Sequence, residues 1–593
     1  MHKIERNITR RKKDEEVHDS SLDYKGRLPL RASTGSWKAS FFIIAIEFSE
    51  RMSYFGIATN MITYMTKVMK QDLKTAANIV NLWSGVTTIT PLLGGFLADS
   101  FFGRFSTILF STFLYALGLG LFTMSQYIPS IKPCTTAALN PCQHVSKAHE
   151  VVFFTAAYLV ALATGGYRPC LESFGADQFD QNHTEERKQK MSFFNWWSVS
   201  LCCGLFLGVT LIVYTQDNVG WGVGFMILTV TMCVTVVVFV LGRPFYRYRT
   251  AQGSPLTPMF KVVVAALAKR HLSCPSDPLL LYEVPVSEKL QGTRLSHTDK
   301  LRFLDKAAII EDNEVNKKQS SWRLSSVTQV EELKLLINMV PIWLSSLIFG
   351  IGISQGSTFF IKQGSAMDRK IFKHFEIPPA SMYTLTAIGM MVTVSVYDRV
   401  LLPYLRRVTG NERGITILKR VGIGMVILIV SMVVSALVEW KRLSALKDGK
   451  ILSVFWLAPQ FLIIGVGDGF SLVGMQEYFY DQVPDSMRSL GMAFYLSVIG
   501  VGSFLSSFLI IIVDFVTGLN DGKRWIGKDL NHSRLDYFYW LLTAIVVGNM
   551  CVFVVIARNY RYKIVQPSAG ISDSCGDDKV SELAGIVVSD EKI

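Results

Sequence analysis

The chain has 593 residues, half of them hydrophobic and only 18% charged. A soluble domain carries about a quarter charged residues, so this length does not mean a string of soluble domains. The net charge of +13 would suit nucleic acid, but Lys and Arg fall between apolar blocks with no aromatic-studded basic groove, which excludes that class.

Residues 1–40 are polar and charged, with the run Arg10-Arg11-Lys12-Lys13-Asp14-Glu15-Glu16 and no apolar core. They read as an arm, not as a cleavable signal peptide. Apolar blocks follow, each of roughly 20 to 25 residues, the length that crosses a bilayer as a helix. They fall at 41–67, 77–99, 106–128, 149–170, 192–214, 221–241, 332–353, 378–401, 415–438, 452–475, 489–514 and 537–558. A polar stretch at 242–331 is too long for an ordinary connection. It separates six-helix halves at 41–241 and 332–558. Within it, Pro258–Arg270 and His297–Glu311 have the spacing of amphipathic surface helices. The tail, 559–593, is rich in Ser, Gly and Asp and is expected to be disordered.

Lys and Arg gather on the side that holds both termini and the long linker, which makes that side cytoplasmic by the positive-inside rule. Of the sequons at Asn7, Asn182 and Asn531, this topology exposes only Asn531 to glycosylation. Cys134 and Cys142 share one short loop: a disulfide if that loop faces an oxidising side, two free thiols otherwise. The nine cysteines contain no CxxC pair and no zinc spacing. Twelve spans in two halves of six predict an all-α membrane protein of the major facilitator fold, whose halves rock around a midplane site.

Chemistry concentrates in the first span, in Glu47-Phe48-Ser49-Glu50-Arg51-Met52-Ser53-Tyr54-Phe55-Gly56. Each charge at the middle of a membrane helix costs about 2.5 to 3.5 kcal/mol on insertion scales. Glu47, Glu50 and Arg51 are related by i+3 and i+4, so they share one face. That face must look into the bundle. A structural ion pair is the competing reading, but two acids around one base leave a carboxyl whose charge can change, and such a site can carry a proton.

The pattern Glu-x-x-Glu-Arg, followed by an aromatic residue and Gly, resembles the proton-coupled oligopeptide transporter family, in particular its plant nitrate/peptide branch. The resemblance covers about residues 26 to 560. Gly165-Gly166-Tyr167-Arg168-Pro169-Cys170 with Phe174-Gly175-Ala176-Asp177-Gln178-Phe179-Asp180 matches the family's fourth-helix signature. Phe193-Phe194-Asn195-Trp196-Trp197 matches the start of the fifth, and Gly95-Phe96-Leu97-Ala98-Asp99 with Gly103-Arg104 matches the wider superfamily's loop after helix two.

The resemblance implies roles. Glu47, Glu50 and Arg51 would couple protons, with Arg168 where many members carry Lys. Tyr54 and Arg51 would lie at the substrate, and Glu477 would face a peptide's amino end. Apart from the resemblance, the spacing of Asp99 and Arg104 across a tight turn favours a gate contact between them over ordinary loop charges. Two departures stand out. Arg168 cannot shed its proton as a buried Lys can, so proton handling falls to the carboxylates, and Cys202 replaces a usual Asn. Trp196 and Trp197 suit the aromatic belt at the membrane interface.

The reading is a symporter of protons with small peptides or nitrate, working by alternating access in a plasma or vacuolar membrane. Neither cofactor nor metal is implied, and no HExxH, GxSxG or Walker loop points to an enzyme. A transport-inactive sensor or receptor on the same fold, and a proton-independent uniporter of another metabolite, are the alternatives.

Overall fold

Backbone groups inside hydrocarbon must pair within their own segment, and the apolar blocks accordingly form helices in the computed structural model. It describes residues 17, 21–133, 146–180, 183–249, 256–275, 277, 280–283, 295–310, 322–372, 375–410, 414–483, 488–519, 524–527, 530–560 and 562. Among these, ten helices are long and apolar enough to cross a membrane. The two remaining spans of the first half are α1 (Ser36–Ala58), prolonged by α2 (Met61–Lys67), and α3 (Leu73–Leu97). Their apolar runs are interrupted, α1 by Glu47, Glu50 and Arg51 and α3 by Asn and Thr side chains. Then come α4 (Arg104–Tyr127), α5 (Lys147–Ala176), α6 (Thr184–Leu207), which runs on through π-helical turns to Val219, and α7 (Trp221–Leu241). The linker holds α8 (Leu256–Ala268).

The second half consists of α9 (Val327–Ser357) with α10 (Phe359–Ser365), α11 (Thr384–Val396) with α12 (Leu402–Thr409), α13 (Ile417–Lys447), α14 (Ala458–Asp481), α15 (Arg488–Gly518) and α16 (Leu535–Asn559). Several helices overrun the apolar blocks that announced them. The fourth block ends at 170 but α5 reaches Ala176, and the ninth ends at 438 but α13 reaches Lys447. Hydropathy marks the hydrocarbon slab, whereas a helix ends where its backbone bonds end.

The chain divides into two compact units. One comprises 1–254, 343–478 and 492–550, the other 255–342, 479–491 and 551–593. In the first, α6 lies against the charged turn of α1 through Gly204 and Gly208. A Cβ on Gly204 would stand 2.6 Å from the Phe48 carbonyl oxygen, and one on Gly208 2.6 Å from that of Met52. Small residues at these two positions are what allow the backbones to touch. Polar ties join α3 to α15: Lys74 Nζ to Asp514 at 2.5 Å and Asn81 Nδ2 to Ser506 at 3.2 Å. Lys362 on α10 donates to Thr66 on α2 at 2.9 Å.

The same unit carries an ionic knot outside the spans. Arg247 is wholly buried and grips Glu186 with both terminal nitrogens, at 2.7 and 3.2 Å, while donating to the Thr34 carbonyl at 3.0 Å. Arg31 adds contacts to Asp180 at 2.9 Å and Glu186 at 3.3 Å. Burial pushes the Glu186 carboxyl up, but hydrogen bonds from Arg247 and the Asp180 N–H, with the charges of Arg247 and Arg31, outweigh it and hold it below its ordinary value.

In the second unit the linker is built onto the first turns of α9. Lys334, buried to 1% exposure, donates to Asp305 at 2.7 Å, to Glu331 at 2.8 Å and to the Thr298 carbonyl at 2.9 Å. Thr298 returns two bonds to Glu331, from N–H at 3.0 Å and Oγ1 at 2.7 Å, and His297 meets Asp305 at 3.1 Å. His297, Asp305 and Glu331 converge closely enough to ligate a cation, but the Lys334 ammonium bonds to both carboxylates. The expected surface helix at 297–311 is only a 3₁₀ segment, Arg302–Ala308, because side chains from α9 claim its polar groups. Cys134, Cys142 and the tail from residue 563 lie outside the described residues.

Lys334→Gln is expected to loosen the linker and to destabilise the protein by about 3 kcal/mol or more, the scale for breaking a buried pair. Limited proteolysis within 255–326 should accelerate, and an unchanged digestion rate would rule the clamp out. The Glu186 site has a pH signature. A depressed carboxylate contributes stability above its unfolded pKa, about 4.3, and loses it as pH falls through its folded value. The E186Q protein should therefore melt lower than the parent by a constant margin from about pH 8 down to about pH 5. A margin that shrinks within that window would contradict this account.

Candidate functional site

Helical geometry puts Glu47, Glu50 and Arg51 on one face of α1, and packing turns that face inward: Glu47 is 1% exposed and Glu50 fully buried. Arg51 Nε donates to Glu47 Oε1 at 2.6 Å, and stands 3.6 Å from Glu50 Oε2. Arg168, on α5, reaches Glu50 Oε1 at 3.4 Å. The four charges thus form one group of two buried acids and two partly buried bases. It is lopsided. Glu47 is held by a short hydrogen bond, whereas Glu50 has longer contacts and its Oε2 accepts no hydrogen bond among the described residues. In hydrocarbon such a group is tolerated only when it pairs internally.

Aromatic rings frame the bases. The Arg168 guanidinium sits 4.1 Å from the centre of the Tyr54 ring, and Tyr54 stacks on Trp83 at 5.8 Å. Tyr54 thus lies against the charge group. Cys202 is a free, half-buried thiol on α6. A further acid belongs nearby. Asp468 on α14 is 5% exposed, its Oδ1 has no hydrogen-bond partner among the described residues, and it lies within electrostatic range of Tyr383 and Tyr495. Tyr383 is in turn within range of Tyr54, and Tyr495 of Arg51.

The structure does not bring Glu477 to this group. Glu477 pairs with Arg420 at 3.4 Å, its side chain 42% exposed. Asp468 and Glu477 are nine residues apart, two and a half helical turns, so they face opposite ways on α14. An inward Asp468 leaves Glu477 outward. Asp468 does not stand out in the sequence because it sits in Gly465-Val466-Gly467-Asp468-Gly469, a glycine-rich stretch that reads as close helix packing. Its signal was the ordinary one, a lone carboxylate within a membrane span.

Arg104 pairs with Asp177 at the end of α5, which Arg249 also approaches at 3.4 Å. The side chain of Asp99 lies outside the described residues, so its contact with Arg104 stays an expectation. Trp196 is 56% exposed, as an interface anchor would be, but Trp197 is buried against Phe193. Asn531 is exposed at the start of α16, and its Oδ1 accepts from Arg442 at 2.9 Å.

The sequence profile of the POT family matches residues 105–526. Protein NRT1/ PTR FAMILY 5.6 of Arabidopsis thaliana is 58% identical over 558 residues, covering 94% of this chain and 96% of the relative. Protein NRT1/ PTR FAMILY 5.7 of the same plant is 54% identical over 571 residues, covering 95% and 94%. Among solved structures, an auto-inhibited POT family peptide transporter overlays with a TM-score of 0.67 at 19% identity, covering 89% of this chain and 99% of that one. The POT family transporter PepTSo overlays with a TM-score of 0.65 at 19% identity, covering 88% and 98%. A buried charge group in a twelve-helix facilitator fold, a family profile over most of the length and two near-complete relatives above half identity place this chain in the POT (NRT1/PTR) family of membrane transporters.

Proposed function

We propose that the chain is a proton symporter for a small zwitterionic solute, in the first place a short peptide, with both termini cytoplasmic. The observation that carries this is the buried group of Glu47, Glu50, Arg51 and Arg168. Its two acids and two bases balance only while Arg51 stays with the carboxylates. A substrate carboxylate that draws Arg51 or Arg168 away leaves a buried anion uncompensated, and a proton from the acidic side removes that cost. Proton and substrate then enter together because each lowers the cost of the other. Closure over a neutralised group is cheaper than closure over a bare charge, so the loaded carrier turns and the half-loaded one does not. Glu50 is the proton acceptor, since it is the less tightly held of the two.

Asp468 takes the part that the family resemblance implies for Glu477. An acid within range of the aromatic residues around Arg51 suits an amino group at one end of a substrate whose carboxylate meets a guanidinium. Nitrate would use the guanidiniums alone and gains nothing from Asp468. The ties between α3 and α15 and between α10 and α2 would close the outer mouth in the state seen, leaving release to the inner side.

In oocytes held at acid external pH, a dipeptide should evoke an inward current, and nitrate a smaller one or none. A protein that moves neither substrate, yet binds one, would be a sensor. Uptake that ignores external pH would make it a uniporter. Arg51→Ala should reduce proton-driven uptake at least about 100-fold, the scale of leaving a buried charge unpaired. Full uptake by that variant would end the symport mechanism. Asp468→Asn is expected to raise the dipeptide KM about tenfold through loss of a charge-assisted hydrogen bond. Nitrate responses should be untouched, and an equal loss for both substrates would remove Asp468 from amine recognition.

A further inference from the structure

Tyr115 on α4 and Tyr167 on α5 are both fully buried, and neither hydroxyl has a hydrogen-bond partner among the described residues. A phenol that only fills space would serve as well as Phe, without the cost of hiding an unpaired polar group where no water competes. Position argues for a role. The Tyr167 ring packs in the core cluster with Ile43 and Ile46, the turn of α1 that leads directly into Glu47. It also precedes Arg168, which touches Glu50. Tyr115 is one helical turn beyond Ser111, the residue that faces Gly166 on α5. Both phenols lie within electrostatic range of Glu50 and Arg51 and Tyr167 also of Glu47.

Other unused capacity gathers at the same place. Glu50 Oε2, Ser53 Oγ and Arg168 Nε are buried without hydrogen-bond partners among the described residues. The group thus holds more donors and acceptors than its present arrangement uses, as a site with a second arrangement must. An Arg51 that swings to a substrate carboxylate gives up its Nε bond to Glu47. When it turns, something must take its place at the carboxylates.

We infer that Tyr115 and Tyr167 are positioning residues that donate hydrogen bonds to the Glu47/Glu50 pair when Arg51 leaves it for the substrate. This rests on the symport reading above. The phenols keep their protons throughout, and the proton that travels comes from the acidic side and goes to a carboxylate oxygen. The donors hold the remaining carboxylate in place without adding a fixed positive charge, so the loaded group stays neutral. The other groups facing it are Tyr54 on α1, Arg168 and the exposed Glu172 on α5, and Tyr495 on α15.

The test uses the full-length protein in proteoliposomes, as parent, Y115F, Y167F and Y115F/Y167F. Two rates are read for a dipeptide: uptake driven by a proton gradient, and exchange at equal pH on both sides. The double variant should lose roughly tenfold in driven uptake, the worth of one hydrogen bond to a charged group. Without donors to stabilise the carboxylate anion, its uptake should persist to higher pH than the parent's. Exchange and melting temperature should be preserved, and each single variant should show part of the effect. Unchanged driven uptake and pH profile, beside a proton-driven parent, would overturn the inference and leave symport standing. Equal losses in driven uptake and exchange would mean a packing role and would also overturn it. A parent indifferent to the gradient would remove both readings together.

Discussion

Everything at the centre of this protein depends on the cost of a charge in hydrocarbon. Glu47, Glu50 and Arg51 sit in the middle of a membrane-spanning helix, where each would cost about 2.5 to 3.5 kcal/mol alone. The fold meets that cost by supplying Arg168 from another helix and by burying both carboxylates. Because opposite charges cancel there, any movement of one member exposes the others. In the symport mechanism proposed above, coupling would follow from that balance.

The rest of the structure can be seen as protecting it. Gly204 and Gly208 let α6 lie directly on the charged turn, so lipid cannot reach it from that side. Trp83, Tyr54 and the Arg168 guanidinium form a stack that fixes the second base over an aromatic face. Elsewhere in the chain, Arg247 with Glu186 and Lys334 with Asp305 and Glu331 repeat the same physics in protein interior. In both, a buried cation is surrounded by enough acceptors to leave no bare charge.

Some features were legible from residue order. Hydrocarbon thickness fixes helix length, so the spans could be counted, and the three charges on α1 shared a face by helical spacing alone. Tyr54, which the family pattern sets near the substrate, packs under the Arg168 guanidinium. Glu477 did not join them. From sequence, Glu477 and Asp468 are both acids near the same helix, and which one points inward depends on how α14 is rotated against its neighbours. That rotation is set by Gly465, Gly469 and Gly474, whose close contacts with Thr386, Thr393 and Val421 turn Asp468 toward the interior. The linker taught the same lesson: its amphipathic spacing at 297–311 gave way to a 3₁₀ segment once α9 offered Lys334 as a partner.

The sequence by itself determined that this is a many-helix membrane protein with charges where lipid should be, because both follow from the local composition of one chain segment at a time. Only the tertiary structure decided which charges meet. Arg168 lies 118 residues from Glu50, and nothing local brings them together. It also singled out Glu50 as the loosely held acid, and it left Tyr115 and Tyr167 beside the group with hydroxyls to spare. Those are properties of distance in space, and residue order carries no measure of that until the helices are packed.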